Sequence, residues 1–228
     1  MQEATPETSA DRLTAIRSRM AAAAKLARRP SEDIHLIAVS KTRSADDIEP
    51  LILEGQMLFG ENRVQEAASK WPALKDRYPG ISLHLIGQLQ SNKAEEAVAL
   101  FDVIHSVDRL SLVTALGKAM QKLGRAVPCF IQVNIGAEDQ KGGCSVGELP
   151  DLLKAAYERE IPLAGLMCIP PAHVEAAPFF ALLAELSTRH GLAQLSMGMS
   201  DDFETAIMLG ATHVRVGTAL FGERDGAL

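Results

Sequence analysis

The strongest constraint on the fold is an alternation of short apolar segments with segments of helical periodicity. The apolar segments are of strand length, and they are His35–Thr42, Met57–Asn62, Ser82–Gly87, Asp102–Val107, Pro128–Ile135, Leu163–Ile169, Gln194–Met199 and His213–Val216. The alternation predicts parallel strands, because each crossover helix returns the chain to the same edge of the sheet. We therefore predict a single (β/α)8 barrel domain over residues 1–228 of this α/β chain.

Helices are predicted both before the first strand and behind the later ones. Apolar residues recurring every three or four positions predict an extra N-terminal helix from about Ser9 to Arg29, ended by Pro30. The helices behind the strands include Val64–Tyr78, Ser91–Leu100, Phe179–His190 and Asp201–Leu209, and only a short tail follows strand eight. An open doubly wound sheet is the alternative, but the first βα turn lacks G-x-G-x-x-G and no G-x-x-x-x-G-K-[ST] occurs.

Composition argues against several classes of partner. The net charge is −6, and Lys and Arg form no runs interleaved with aromatic residues, so we expect no nucleic-acid partner. The three cysteines form no C-x-x-C pair, which disfavours a disulfide framework or a zinc site. Residues Met1–Asp11 do not resemble a signal peptide, and no apolar run reaches membrane-span length. We expect a cytoplasmic monomer with no metal and no membrane contact.

Several strand ends carry residues suited to chemistry. In a (β/α)8 barrel the site lies at the C-terminal ends of the strands, and a phosphate is often held after strands seven and eight. Lys41 ends the first strand, although a lysine there could simply mark its edge. Ser200 follows strand seven, and Gly217 and Thr218 follow strand eight, where hydroxyl groups and helix N-termini can bind an anion. The alternative for Ser200 is an ordinary helix N-cap. A lysine near a phosphate site suggests Schiff-base chemistry on a phosphorylated carbonyl compound.

Other polar residues of the strands leave alternatives open. Arg215 lies near the end of strand eight, and inside a barrel it needs an acceptor, which a carboxylate such as Glu61 or a ring nitrogen could supply. Glu61 could be a general base or the partner of a neighbouring cation. His84 and His105 fall within strands, where a hydrogen-bonded core histidine is the commoner role.

These segments together resemble one known family, the pyridoxal phosphate homeostasis proteins, which are similar to the N-terminal domain of alanine racemase. The segments that carry the resemblance are Ala38–Thr42, Phe59–Asn62 with Val64–Glu66, His84–Gly87 with Leu89–Lys93, Gly165–Met167, Leu195–Asp202, and Val214–Thr218 with Phe221–Gly222. They run from strand one to the last residues in the order and spacing of the family.

The resemblance implies a cofactor and the residues that hold it. Pyridoxal 5′-phosphate (PLP) would be bound to Lys41 as an internal aldimine, with Arg215 facing the pyridine nitrogen. The implied phosphate contacts are Ser200, Gly217, Thr218 and the Met199 backbone, and the implied pocket-lining residues are Asn62 and His84.

The implied function is that of a carrier and buffer that passes PLP to client enzymes. An arginine at the ring nitrogen makes the cofactor a poorer electron sink than a carboxylate would. Family members lack the second domain of the racemase, which supplies a tyrosine base on the opposite face, and the tail Ala219–Leu228 is too short to replace it. We therefore assign no catalytic residue. The alternatives are an amino-acid racemase, a Schiff-base aldolase acting on a phosphosugar, and a barrel that binds a regulatory metabolite.

Overall fold

The computed structural model describes residues 8–222, and in it eight parallel strands close into a barrel in chain order. The strands are β1 His35–Val39, β2 Leu58–Glu61, β3 Ser82–Leu85, β4 Val103–Val107, β5 Cys129–Val133, β6 Leu163–Cys168, β7 Gln194–Ser196 and β8 His213–Val216. Closure is made by β1 pairing with β8, with Ile37 opposite Arg215. The predicted (β/α)8 barrel is confirmed.

Helices surround the barrel and connect its strands. They are α1 Ser9–Leu26, α2 Ala45–Leu53, α3 Val64–Arg77, α4 Ala94–Leu100, α5 Leu110–Leu123, α6 Leu149–Tyr157, α7 Ala177–Arg189, α8 Phe203–Met208 and α9 Thr218–Phe221. Residues 218–221 of the short tail predicted after strand eight form a helix, which is too short to show a periodic pattern in the sequence. The prediction that Met1–Asp11 is not a signal peptide mainly concerns residues outside the described part of the chain. The end of the predicted tail also lies outside it.

The predicted N-terminal helix is confirmed as α1. Thr8 caps it in a reciprocal pair with Asp11, and the apolar face of the helix is buried. Arg19 forms two hydrogen bonds with Glu204 at the start of α8, at 2.9 and 2.8 Å, and Arg12 Nε donates to the Leu220 carbonyl at 2.7 Å. The helix therefore fastens the elements that follow strands seven and eight.

The main core lies between the barrel and its ring of helices. Phe59, Trp71, Leu83, Phe101 and Phe180 are fully buried there. Burial of apolar surface contributes about 25 cal/mol per Å² and is the main stabilising term in such a layer. The strand ends are thereby held on a rigid frame.

No helix within residues 8–222 is long and apolar enough to cross a membrane. In the same residues, no group of three or more His, Cys, Asp or Glu side chains is arranged to hold a metal ion.

Candidate functional site

A cavity of about 560 Å³ opens at the C-terminal ends of the strands, and we call it the C-terminal cavity. Its volume lies within the range of about 300–1,000 Å³ that is usual for small-molecule sites. Seven of the eight residues predicted from the sequence line it, namely Lys41, Asn62, Met199, Ser200, Arg215, Gly217 and Thr218. The eighth, His84, does not.

Lys41 lies just beyond β1, at the start of a tight turn. The amide of Arg43 donates to the Ser40 carbonyl at 3.1 Å, and Thr42 adopts a φ of 60°, which β-branched residues rarely do. Strain of this kind costs about 1–3 kcal/mol and often occurs at ligand sites. Within the described part of the chain, the Lys41 ammonium forms no hydrogen bond or ion pair. Its amine is therefore available to a ligand in the cavity.

Helix α3 holds this turn from behind. Lys70 Nζ donates to the Ser40 carbonyl at 2.9 Å and to the Arg43 carbonyl at 3.0 Å. Glu66 accepts from the Thr42 amide and from Lys70. The strained backbone beside Lys41 is thus fixed by an ion pair outside the cavity.

Glu61 belongs to the same support and not to the cavity. Its Oε1 accepts from Ser40 Oγ at 2.6 Å and from Trp71 Nε1 at 3.0 Å, and it lies 2.9 Å from Lys70 Nζ. The side chain is fully buried against α3. The possibility that Glu61 pairs with Arg215 or acts as a general base is therefore wrong, and its alternative role as the partner of a neighbouring cation is confirmed.

The loop after β7 presents the hydroxyl of Ser200 to the cavity. Gly198 makes its turn with a φ of 93°, and a Cβ there would lie 2.6 Å from that of Ala206. Residue 202 occupies the N-cap of α8, and among the described residues Ser200 Oγ has no hydrogen-bond partner. The alternative N-cap role of Ser200 is therefore wrong.

The backbone of Met199 is already engaged. Its amide donates to Asp202 Oδ1 at 2.6 Å, and its carbonyl accepts from the amides of Asp202 and Phe203. Burial raises the pKa of Asp202, although this hydrogen bond and the charge of Arg215 act against the shift. The implied Met199 backbone contact with a phosphate is not supported by this geometry, although the residue lines the cavity.

Gly217 and Thr218 form the other side of the cavity at the start of α9. Thr218 is exposed, and its hydroxyl has no partner within residues 8–222. The first amides of a helix lack acceptors within that helix. The ends of β7 and β8 therefore both offer unpaired donors to the same cavity.

Arg215 lines the floor of the cavity from β8. Its Nη1 donates to Ser196 Oγ at 2.6 Å and its Nη2 to the Cys168 carbonyl at 2.9 Å. Only 5% of the residue is exposed, and burial lowers the pKa of Arg215, which nevertheless stays a cation at neutral pH. Its remaining N–H groups have no acceptor in the described part of the chain.

The expectation that His84 lines the cofactor pocket is wrong, because the residue lies one layer deeper. It pairs in register with Gly60, two residues before Asn62, and the β3 residue at the level of Asn62 is Ile86. The His84 side chain instead borders a second cavity of about 330 Å³ on the opposite side of the barrel, together with His35 and His213. We call this the N-terminal cavity.

Several lining residues of the C-terminal cavity were not predicted as site residues from the sequence, among them Arg43, Gln132, Lys141 and Ile169. Arg43 follows Lys41 by two positions in the first βα loop, so the barrel rule could have identified it. Lys141 lies in the loop after β5, where its Nζ lies 2.6 Å from Glu138 Oε2 and donates to the Pro170 carbonyl at 2.8 Å. The position of Lys141 depends on the geometry of this loop, which the sequence pattern does not predict.

The charge of the C-terminal cavity is entirely positive. Its titratable lining residues are Lys41, Arg43, Lys141 and Arg215, and within residues 8–222 no Asp, Glu, His, Tyr or Cys side chain lines it. A cluster of cations around unpaired donors attracts and binds a phosphate ester.

Comparison with known proteins identifies the family. The model of the alanine racemase N-terminal domain matches residues 12–225. A pyridoxal phosphate homeostasis protein from Escherichia coli (strain K12) is 40% identical over 226 residues, covering 95% of this chain and 97% of that protein. The chain belongs to the pyridoxal phosphate homeostasis protein family.

Solved structures of this family and of its distant relatives agree with the fold. PipY of Synechococcus elongatus PCC7942, solved with PLP bound, is similar to this chain, with 37% identity and a TM-score of 0.80, and the match covers 94% of this chain and 100% of that one. An alanine racemase from Clostridium difficile 630 shares the fold alone, at 19% identity and a TM-score of 0.64, and this chain covers 57% of it. The homeostasis family is therefore much nearer to this chain than the racemase is.

Proposed function

We propose that this protein binds PLP in the C-terminal cavity, attaches it through Lys41, and holds it for delivery to PLP-dependent client enzymes without turning over a substrate. The observation that carries the proposal is a lysine amine without a partner among residues 8–222, in the same cavity as the hydroxyls of Ser200 and Thr218, which have none there either. The match to a relative solved with PLP supports the choice of cofactor.

The chain offers a partner for each part of the cofactor. When bound, PLP supplies an aldehyde that reacts with amines and a ring that withdraws electrons. Lys41 would hold the aldehyde carbon, and Arg215 would donate to the ring nitrogen. Ser200, Thr218 and the Gly217 turn would donate to the phosphate, and Asn62, whose side chain has no partner in the described residues, would face the ring or its substituents.

We propose the absence of turnover because of the acid–base groups that line the cavity. Racemisation needs a proton removed on one face and delivered on the other, so two positioned acid–base groups are required. Lys41 is one candidate. Lys141 is the other titratable lysine of the cavity, and it is held by Glu138 and the Pro170 carbonyl. The arginine beside the ring nitrogen also disfavours the charge build-up that such chemistry needs.

The proposal is tested by binding and transfer. Purified protein is titrated with PLP and followed by absorbance and equilibrium dialysis, and the loaded protein is then mixed with the apo form of a PLP-dependent enzyme. We expect saturable, yellow binding and recovery of activity in the apo enzyme. Wild-type protein that binds no PLP would overturn the proposal, and binding with no transfer would overturn its delivery part.

Delivery also requires a control that shows whether the transferred cofactor is the one held by Lys41. Lys41→Ala protein incubated with the same PLP and then desalted should activate the apo enzyme no better than buffer, because it retains no covalently held cofactor. Equal activation by the variant would show that Lys41 does not hold the delivered cofactor.

A further inference from the structure

A continuous chain of hydrogen bonds crosses the barrel interior from the N-terminal cavity to Arg215. Ser82 Oγ lies 3.1 Å from His84 Nε2, and His84 Nδ1 lies 2.8 Å from His105 Nε2. His105 Nδ1 lies 2.8 Å from Ser196 Oγ, which accepts from Arg215 Nη1 at 2.6 Å. We call this the buried chain.

Its central members are shielded from water. Ser196 and His105 are fully buried, and His84 is 2% exposed. The His105 ring also stacks on Phe130 at 4.3 Å between centroids, with 13° between the planes. Packing therefore fixes the ring of His105 in one orientation, and no solvent competes for its nitrogens.

The donors and acceptors of the buried chain can be assigned by elimination. Arg215 can only donate, so Ser196 Oγ accepts from it. If Ser196 donates in turn to His105 Nδ1, then His105 Nε2 donates to His84 Nδ1, and His84 Nε2 donates to Ser82. With the opposite direction, the Ser196 hydroxyl would accept twice and its proton would have no acceptor among the described residues. A buried donor without a partner is costly, so the first direction is favoured.

Both histidines are in the state that this arrangement needs. Burial lowers the pKa of His84 to about 4 and holds the pKa of His105 well below its usual value, with further lowering at His105 from His84, His213 and Arg215. Each ring is therefore neutral at pH 7, with one donor nitrogen and one acceptor nitrogen.

We infer that Ser196 and His105 are positioning residues that fix the Arg215 guanidinium toward the C-terminal cavity. The inference rests on the proposed function in one respect, since it takes PLP as the ligand that Arg215 meets. With Ser196 held by His105, the guanidinium has two fixed acceptors, one on β7 and one on β6. Two anchored N–H groups determine the plane of a guanidinium, whereas one leaves it free to rotate.

The first test needs no cofactor. Long-range proton–nitrogen NMR correlation at pH 7 reports which nitrogen of each histidine carries the proton. We expect both His84 and His105 to be protonated on Nε2 in the wild-type protein, with the His105 signals shifted in Ser196→Ala. Protonation on Nδ1 in both rings would show the opposite direction and overturn the assignment.

The second test compares two substitutions at one position. His105→Asn keeps an acceptor oxygen close to the place of Nδ1, whereas His105→Leu removes it. We expect PLP affinity to fall about tenfold or more in His105→Leu and Ser196→Ala, by analogy with the loss seen when a hydrogen-bond partner of a metal ligand is removed. We expect His105→Asn to stay within a few fold of wild type.

A third measurement is the pH midpoint of the colour change of the bound cofactor, which would not change if Ser196 and His105 only stabilised the fold. A nearby cation lowers the pKa of a basic group, so displacement of Arg215 should raise the pH midpoint of the colour change of the bound cofactor. Ser196→Ala with a lower melting temperature but unchanged affinity and midpoint would overturn the inference. Wild-type protein that binds no PLP would instead overturn the proposed function, and the histidine protonation pattern would then decide whether the buried chain orients Arg215.

Discussion

The Lys70 ammonium lies 2.9 Å from Glu61 Oε1 behind β2, with Glu61 fully buried and one-tenth of the Lys70 side chain exposed. The pair holds the turn that carries Lys41, because Lys70 also donates to the carbonyls of Ser40 and Arg43. The charge network nearest to Lys41 therefore supports its turn and does not line the cavity.

We predict that Glu61→Ala lowers the free energy of unfolding by about 3 kcal/mol or more, because it removes one of the two carboxylates of a mostly buried ammonium and leaves the buried donors of Ser40 and Trp71 without their acceptor. Urea unfolding monitored by circular dichroism measures the change. The matched control is Glu95→Ala, which removes the exposed partner of Lys122 and should cost less than about 1 kcal/mol. A Glu61→Ala protein as stable as the control variant would contradict this account of the turn.

The phosphate donors give a second prediction. Ser200→Ala and Thr218→Ala should each weaken PLP binding about tenfold or more, since each removes a charge-assisted hydrogen bond worth about 1.5–3 kcal/mol. The melting temperature without cofactor should stay unchanged, because neither hydroxyl bonds to the described residues. Affinity is measured by equilibrium dialysis.

A third serine serves as the control for these two. Ser145 forms a reciprocal pair with Glu148 outside the C-terminal cavity, at 2.7 Å from its Oγ to Oε2. Ser145→Ala should therefore lower stability by about 1 kcal/mol, the net value of a typical hydrogen bond, and leave PLP affinity intact. Unchanged PLP affinity in both cavity variants would remove the two hydroxyls from the phosphate site.

The part of this site that could be predicted from sequence is the part fixed by strand order. Lys41, Ser200 and Thr218 follow strand ends, and in a closed parallel barrel all such ends face one mouth. His84 was misplaced because depth within the barrel depends on the stagger between neighbouring strands. The register between β2 and β3 pairs His84 with Gly60, and the pattern of apolar residues in the sequence does not predict this register.

The hydrogen-bond and ion-pair partners of individual residues could not be predicted from the sequence either. The engagement of the Met199 amide by Asp202 and the pairing of Glu61 with Lys70 depend on how loops and helices pack. The four-residue helix α9 left no periodic signal, although Gly217 and Thr218 at its start were found from their position.

The histidines of the barrel interior predict how stability depends on pH. Burial lowers the pKa of His84 to about 4 and that of His213 to about 3, against 6.5 in an unfolded chain. The unfolded state therefore binds more protons below pH 6.5, so the free energy of unfolding is highest above that pH and falls as the pH drops toward 4. Each such histidine costs up to about 1.4 kcal/mol per pH unit in that range.

Unfolding at pH 7, 6 and 5 tests this dependence before most carboxylates titrate. We expect the free energy of unfolding to fall steadily across the three pH values, and to fall less steeply in His213→Gln. A flat profile in the wild-type protein would mean that these rings already carry protons in the fold or are exposed.

Turnover is the prediction that separates a carrier from a racemase. With saturating PLP, we expect no change in the optical rotation of alanine and no exchange of its α-proton with inversion in deuterated water, because among the described residues Lys41 lacks a free acid–base partner in the cavity. Lys41→Ala is the blank. Racemisation that depends on Lys41, at the rate of about 1–10³ per second usual for enzymes, would make this chain a racemase.

The central claim, that Lys41 holds the cofactor covalently, is tested most directly by trapping with borohydride. Protein loaded with PLP is reduced, digested and mapped by mass spectrometry, with Lys141 as the internal comparison because it is the other lysine of the same cavity. The account predicts loss of the visible band and the reduced cofactor's added mass on the peptide that contains Lys41. Added mass only on other lysines, or a visible band that persists in Lys41→Ala protein, would contradict it.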